Sequence, residues 1–255
     1  MTGAMFKKEW KESIRRYRLV VIVGVLLLIG VISPVSAKLL PKMMEMLATQ
    51  ANTQGFEFTY DKEPTPQDAL IQYNKNLGLL PLLIAIMGMG LVAEEKIRGT
   101  AETVLTKPVS RFSLFLAKFS VFSLITFLAV VTGGGVCFFY ATILLGPLDW
   151  GRFLFFNFLI LFYFIPYIAI ILFLSVAIKS MAGAAAAGIG AYFSFMIMAG
   201  FPWIGKFTPQ GLYSYTSKMS AGMAAPDWFT PFVSSLCITI LFFLLSKIVF
   251  EKQEI

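Results

Sequence analysis

Read from the N-terminus, the chain alternates between long apolar runs and short polar connections. Six runs reach the roughly 20 residues that a helix needs to cross the hydrocarbon core of a bilayer. They extend from about Leu19 to Ala37, Asn76 to Ala93, Leu114 to Leu145, Phe153 to Ile178, Met181 to Phe201 and Trp228 to Phe250. Helices are expected for all of them, because in lipid every backbone N–H and C=O must be paired within its own segment. The third run is long enough for its first turns to lie in the interface. Pro166 is placed to kink the fourth, since an interior proline removes one helical hydrogen bond. The pattern predicts an all-α polytopic membrane protein, one transmembrane domain over residues 1–255.

The polar connections carry patterns of their own. Over residues 4–18, Phe6, Trp10, Ile14 and Tyr17 fall on one helical face and Lys7, Lys8, Lys11, Arg15 and Arg18 on the rest. Glu12 and Arg16 are spaced for an i,i+4 ion pair. This predicts an in-plane amphipathic helix, its aromatic anchor in the acyl boundary and its cations near anionic headgroups. Simple anchoring and contact with a cytoplasmic partner are both open to it. The first outer loop, residues 38–75, contains a helix start at Thr65-Pro66-Gln67-Asp68, with Thr65 as cap and a proline in the first turn. The second span is therefore expected to rise from a helix already outside the membrane. The last outer loop, residues 202–227, is rich in Gly, Ser, Thr and Tyr. It suits either a segment that dips into the membrane and caps a cavity or an ordinary interfacial loop.

Composition confirms the class and removes others. Of 255 residues, 58% are hydrophobic and only 14% charged, against about a quarter charged in soluble domains. An aromatic share of 15% excludes disorder. The absence of histidine removes His-based triads and His-containing zinc sites. Cys137 and Cys237 stand far apart in apolar runs and read as buried thiols. Val35-Ser36-Ala37 imitates a signal-peptide cleavage site, but the preceding basic stretch is long and carries Glu9 and Glu12, which favours an uncleaved span.

Charge then orients the spans. The N-terminus, the connections after the second and fourth spans and the C-terminus together hold 14 Lys and Arg, and the opposite connections hold 7. By the positive-inside rule both termini are cytoplasmic in a multi-pass cell-membrane protein. Acids divide evenly, 7 to each side, so the whole net charge of +7 lies on the cytoplasmic face. It is a topology signal, with no nucleic acid implied.

Several motifs have competing readings. Gly200 to Lys206 matches GxxxxGK, but Phe207 follows where a phosphate loop needs Ser or Thr, and the segment leaves a span on the outer side. No nucleotide site is expected there. Gly133-Gly134-Gly135 and the Gly183, Ala184, Ala187, Gly188 set permit close helix approach, within the chain or between subunits. Asn157 is the one strongly polar residue well inside the fourth span, and the span centres carry no charge, which argues against a proton- or voltage-driven machine.

The most informative segment is cytoplasmic, residues 94–111. Ile97, Ala101, Val104 and Leu105 make an apolar helical face, Glu94, Glu95, Arg98 and Glu102 a charged one; Gly99 interrupts the helix and Pro108 ends it. The string E-K-I-R-G-T-A-E-T-V-L-T-K-P-V-S-R, followed by Lys118, resembles the signature of ABC-2-type permeases, the membrane subunits of ABC exporters. Glu95, Gly99, Thr100, Glu102, Leu105, Pro108, Val109, Ser110, Arg111 and Lys118 match that pattern, whereas Ala117 and Thr103-Val104 depart from it without touching a charged position.

The resemblance implies that residues 94–111 are a coupling helix seated on a separate cytoplasmic ATP-binding subunit. Glu94, Glu95, Arg98, Gly99, Thr100, Glu102, Leu105, Pro108 and Arg111 would form the coupling site, with the charged groups pairing across the interface. It also implies a second permease chain, like or unlike, and no catalytic residue, cofactor or metal in this chain. ATP and magnesium would be bound by the partner. A non-transporting scaffold or sensor that docks the same ATPase is the alternative, and an intramembrane enzyme is disfavoured by the lack of histidine and of paired carboxylates in the spans.

Overall fold

The computed structural model describes residues 2–52, 63–97, 111–223 and 227–252. Among them every regular element is a helix. α1 (Thr2–Arg15) leads into the long α2 (Arg18–Asn52), and α3 (Pro66–Leu77), α4 (Leu80–Gly88) and α5 (Ala93–Ile97) form one interrupted run. α6 (Arg111–Leu145), α7 (Trp150–Ala177), α8 (Met181–Ala199), α9 (Pro202–Gly205), α10 (Pro209–Ser220) and α11 (Phe229–Lys252) follow. Six stretches are long and apolar enough to cross a bilayer: Arg18–Met46, Pro66–Glu95, Phe112–Leu145, Trp150–Ala177, Met181–Ala199 and Phe229–Phe250. Each overlaps one of the six apolar runs.

α7 is the centre of the bundle. It packs against α4, α6, α8, α10 and α11 and buries Phe156, Ile160, Phe164, Ile168 and Leu172. α2 lies along α6 at a close crossing where a Cβ on Gly133 would meet the Leu26 carbonyl oxygen at 2.6 Å, and one on Gly30 would overlap the Gly133 carbonyl. Both glycines are therefore needed for backbone contact within the chain. Gly188 of α8 makes room instead for side chains, those of Ile171 and Ala85, 3.0 and 3.1 Å from where its Cβ would sit. One end of the bundle, the basal end, gathers α1, α5, the start of α6 and the end of α11, where Phe115 and Phe250 meet edge to face. The far end holds α10 and the α6–α7 connection, closed by Phe138–Trp150 and Phe155–Trp228 contacts.

Two features differ from the sequence expectation, the length of α2 and the exposure of Cys237. α2 does not stop near Ala37 but continues to Asn52, with Pro34 and Pro41 inside it. Lys38 marks the end of the apolar run rather than of the helix, and Ala37 packs against Ala69 of α3 and Ala141 of α6. Pro166 lies inside α7, which extends from Trp150 to Ala177. Cys137 is buried as expected, but Cys237 is exposed on α11.

The second span is broken twice. Thr65 starts α3 as expected, its N–H and hydroxyl both donating to Asp68, at 2.9 and 2.7 Å. At the first break Pro81 brings no N–H, so the helical ladder cannot pass through it. The Leu82 N–H turns to the Leu79 carbonyl. The Gly78 carbonyl accepts instead from the hydroxyls of Tyr163 at 3.3 Å and Tyr192 at 3.0 Å. The connection between the fifth and sixth spans contributes α9 and α10; α10 turns Leu212, Thr216 and Ser220 inward, and the Thr216 hydroxyl donates to the buried Asn74 side chain of α3 at 2.9 Å.

Candidate functional site at the basal end

α1 presents its inward face through Met5, Glu9 and Ser13, one helical turn apart and all buried. Phe6 and Trp10 are half-buried on the flank, Ile14 and Tyr17 are exposed, and Tyr17 leaves the helix at φ 57° to turn the corner into α2. A carboxylate, rather than an aromatic stripe, is what α1 carries into the bundle.

That carboxylate meets a lysine from a distant part of the chain. Lys118 of α6, 1% exposed, places Nζ 3.1 Å from Glu9 and 3.0 Å from Glu95 Oε1. Lys8 Nζ donates to the same Glu95 oxygen at 2.9 Å and lies 3.3 Å from Glu9 Oε1. Arg16 pairs with Glu12 at 2.6 Å, the i,i+4 pair expected from spacing, and also with Glu94. Burial pulls the Lys8 ammonium down, but the hydrogen bond to Glu95 and the charges of Glu95, Glu9 and Glu12 outweigh it and hold its pKa above the ordinary 10.5. Arg18 is buried beside this cluster: a Cβ on Gly90 would sit 3.6 Å from its Nη2 and 3.2 Å from Glu94 Oε2. The carboxylates of Glu9, Glu12 and Glu95 converge, and the ammonium and guanidinium groups among them commit them to ion pairs.

Charges taken out of water this far are tolerated only when paired, so the cluster fixes α1, α5 and the base of α6 relative to one another. Glu95 consequently faces inward, not outward toward a partner as its place in the segment suggested. Glu94 joins it at the root of α5. Arg98, Gly99, Thr100, Glu102, Leu105 and Pro108 lie outside the described residues, and Arg111 opens α6 with a side chain outside them.

A second attachment was not foreseen from sequence. The Ser175 hydroxyl of α7 accepts from the N–H groups of Val92 at 2.9 Å and Ala93 at 3.0 Å, and donates to the Met89 carbonyl at 2.9 Å. Lys118 and Glu9 had a readable signal, since a charge within an apolar helical pattern demands a partner. Ser175 had none, because a serine in an apolar helix ordinarily bonds its own preceding turn. The GxxxxGK string follows a helix instead of a strand, and Lys206 lies over the Phe207 ring at 5.0 Å.

Six helices long and apolar enough to span a bilayer, with a basal segment held by ion pairs, define a multi-pass membrane protein. Residues 4–255 match the family described as ABC-2 family transporter protein. The chain is also 23% identical over 242 residues to an uncharacterized transmembrane protein of Bacillus subtilis (strain 168), YxlG, covering 93% of each sequence. The chain belongs to the ABC-2 family of transporter proteins, and its role is that of an ABC transporter permease, a membrane subunit of the kind that pairs with a cytoplasmic ATPase.

Proposed function

We propose that this chain is the permease half of an ATP-driven exporter in the cell membrane, working as a pair of permease chains with a separate ATPase. The basal end is the cytoplasmic one, and both termini lie there. Residues 94–111 dock on the ATPase, with Arg98, Glu102 and Arg111 as the charges offered to it and Leu105 and Pro108 shaping the apolar face and the turn.

The observation that carries this reading is the buried ion cluster. Glu95 roots the segment to Lys118 of α6 and Lys8 of α1 at 3.0 and 2.9 Å, so a push on residues 94–111 is delivered to a body of three elements. Coupling of this kind needs a two-state element whose balance nucleotide can bias. An apolar or amphipathic cargo is supported by the uncharged span centres and by a groove of about 310 Å³ between α2 and the α3–α4 run, lined by Val25, Ile29, Leu80 and Leu83 with Asn76 as its polar group.

Two charge reversals test the docking. Glu102→Lys is expected to leave insertion and thermal stability intact and to abolish assembly with the ATPase or its stimulation. Glu95→Lys is expected to lower stability as well, because its carboxylate is already committed inside the chain. A Glu102→Lys chain that assembles and transports normally would overturn the docking assignment. Reconstitution with the ATPase separates exporter from scaffold, since only the exporter accumulates solute when ATP is added.

A further inference from the structure

The junction between α4 and α5 is buried: Leu91, Val92 and Ala93 are 3%, 1% and 0% exposed. The end of one helix and the start of the next each leave backbone groups without a partner inside the helix, and burial makes such orphans expensive. Here the Met89 carbonyl and the Val92 and Ala93 N–H groups are all met by the one hydroxyl of Ser175, itself fully buried. Ser175 does for this junction what a capping residue does at a helix end, but from a different helix. It stands near the basal end of α7, the helix on which most of the bundle packs.

Glu95 lies two residues beyond Ala93. The root of the 94–111 segment is thus held by ion pairs to α1 and α6 and by hydrogen bonds to α7. The ion pairs join the segment to elements that flank it, whereas the hydroxyl bonds its root directly to the central helix. Close packing supports the same contact: a Cβ on Gly88 would lie 2.7 Å from the Ile171 side chain, one turn before Ser175. α4 is thereby seated directly on α7 just above the junction.

We infer that Ser175 is a positioning residue for coupling: through Met89, Val92 and Ala93 it ties the root of the 94–111 segment to α7, so that displacement of the segment enters the centre of the bundle. The inference rests on the permease reading above and adds the route by which movement leaves the docking segment. Without the hydroxyl, the segment remains attached to α1 and α6 but loses these three hydrogen bonds to α7.

The test uses the full chain in lipid nanodiscs with Ser175→Ala, Ser175→Thr and Ser175→Cys. Thr keeps the hydroxyl; Cys keeps the volume but bonds weakly, and stands in should the Ala variant fail to fold. Loss of one net hydrogen bond predicts roughly five- to tenfold faster hydrogen exchange at the Val92 and Ala93 amides in the Ala and Cys variants. Thr should restore the wild-type rate, and α7 itself should be unaffected. Unchanged exchange, or equal acceleration throughout α7, overturns the hydroxyl's role. In complexes with the co-purified ATPase, the Ala and Cys variants should assemble yet lose stimulated ATP hydrolysis, with rescue by Thr. Normal stimulation in a chain with accelerated exchange overturns the coupling role. If the wild-type chain binds no ATPase, the permease reading and the coupling role fall together, while the exchange result still decides what the hydroxyl holds.

Discussion

The basal end and the break at Gly78 solve the same problem, satisfying buried polar groups, with different chemistry. At the base, Glu9, Glu12, Glu94 and Glu95 meet Lys8, Arg16 and Lys118 as full charges. Around Gly78 the participants are neutral: the Tyr163 and Tyr192 hydroxyls on one carbonyl, Thr216 on Asn74, and Asn76 on Ser33 at 2.9 Å. Position explains the contrast. Charges are costly inside the hydrocarbon and are accommodated near its edge, whereas hydroxyls and amides are tolerated at depth once bonded. Reach differs as well. The neutral layer heals a break within one span, while the ion cluster joins α1, α5 and α6, elements up to 109 positions apart in sequence. The molecule places charged attachment between distant elements at the base, and neutral closure where a span is interrupted.

The contrast can be broken most severely at Lys118. Lys118→Met leaves Glu9 and Glu95 without their shared buried cation and should cost about 3–5 kcal/mol of stability, read as a collapse of folded yield and a lower Tm in detergent. Replacing the acids too, with Glu9→Gln and Glu95→Gln, should recover most of that loss, because the buried carboxylates that Lys118 neutralised are then gone, while Glu12, Glu94, Lys8 and Arg16 keep their partners among themselves. In the neutral layer, Thr216→Val strands the Asn74 carbonyl oxygen and should cost about 1–3 kcal/mol in the same unfolding assay. Tyr192→Phe alone should cost about 1 kcal/mol, since Tyr163 still serves the Gly78 carbonyl. The Tyr163→Phe, Tyr192→Phe pair should exceed the sum of the singles, as that carbonyl then loses both donors.

The smallest effect is a pH dependence at Lys8. Its folded-state pKa is raised, so its contribution is fully present below the ordinary lysine value and is lost as pH climbs through the folded one. Stability should therefore decline at strongly alkaline pH and decline less in Lys8→Met, a difference that salt should shrink because Lys8 is partly exposed. Equal alkaline profiles would detach Lys8 from the cluster.

The six spans were legible because hydrophobic length is a coarse, additive signal. Thr65 and Asp68 were legible as a local capping pattern, and the Glu12–Arg16 pair as a local spacing. What sequence missed was tertiary. The aromatic stripe of α1 was legible as a helical face, but nothing local says that Lys118, far along the chain, makes Glu9 the residue turned inward. Glu95 read as an outward charge for the same reason, since its partners lie on two other helices. The break at Gly78 could be suspected from Pro81, yet nothing local says that Tyr163 and Tyr192 supply the missing donors. The exposure of Cys237, which sequence read as buried, likewise depends on which side of α11 packs against α7.

The central claim is that the ion cluster makes α1, α5 and the base of α6 one body on which the ATPase acts. Its most direct test is ATP hydrolysis by the reconstituted complex containing the neutralised chain, Glu9→Gln with Glu95→Gln and Lys118→Met. This chain should fold, insert and still bind the ATPase, but stimulated hydrolysis should fall to the level of the ATPase alone. Full stimulation by the neutralised chain would contradict the claim.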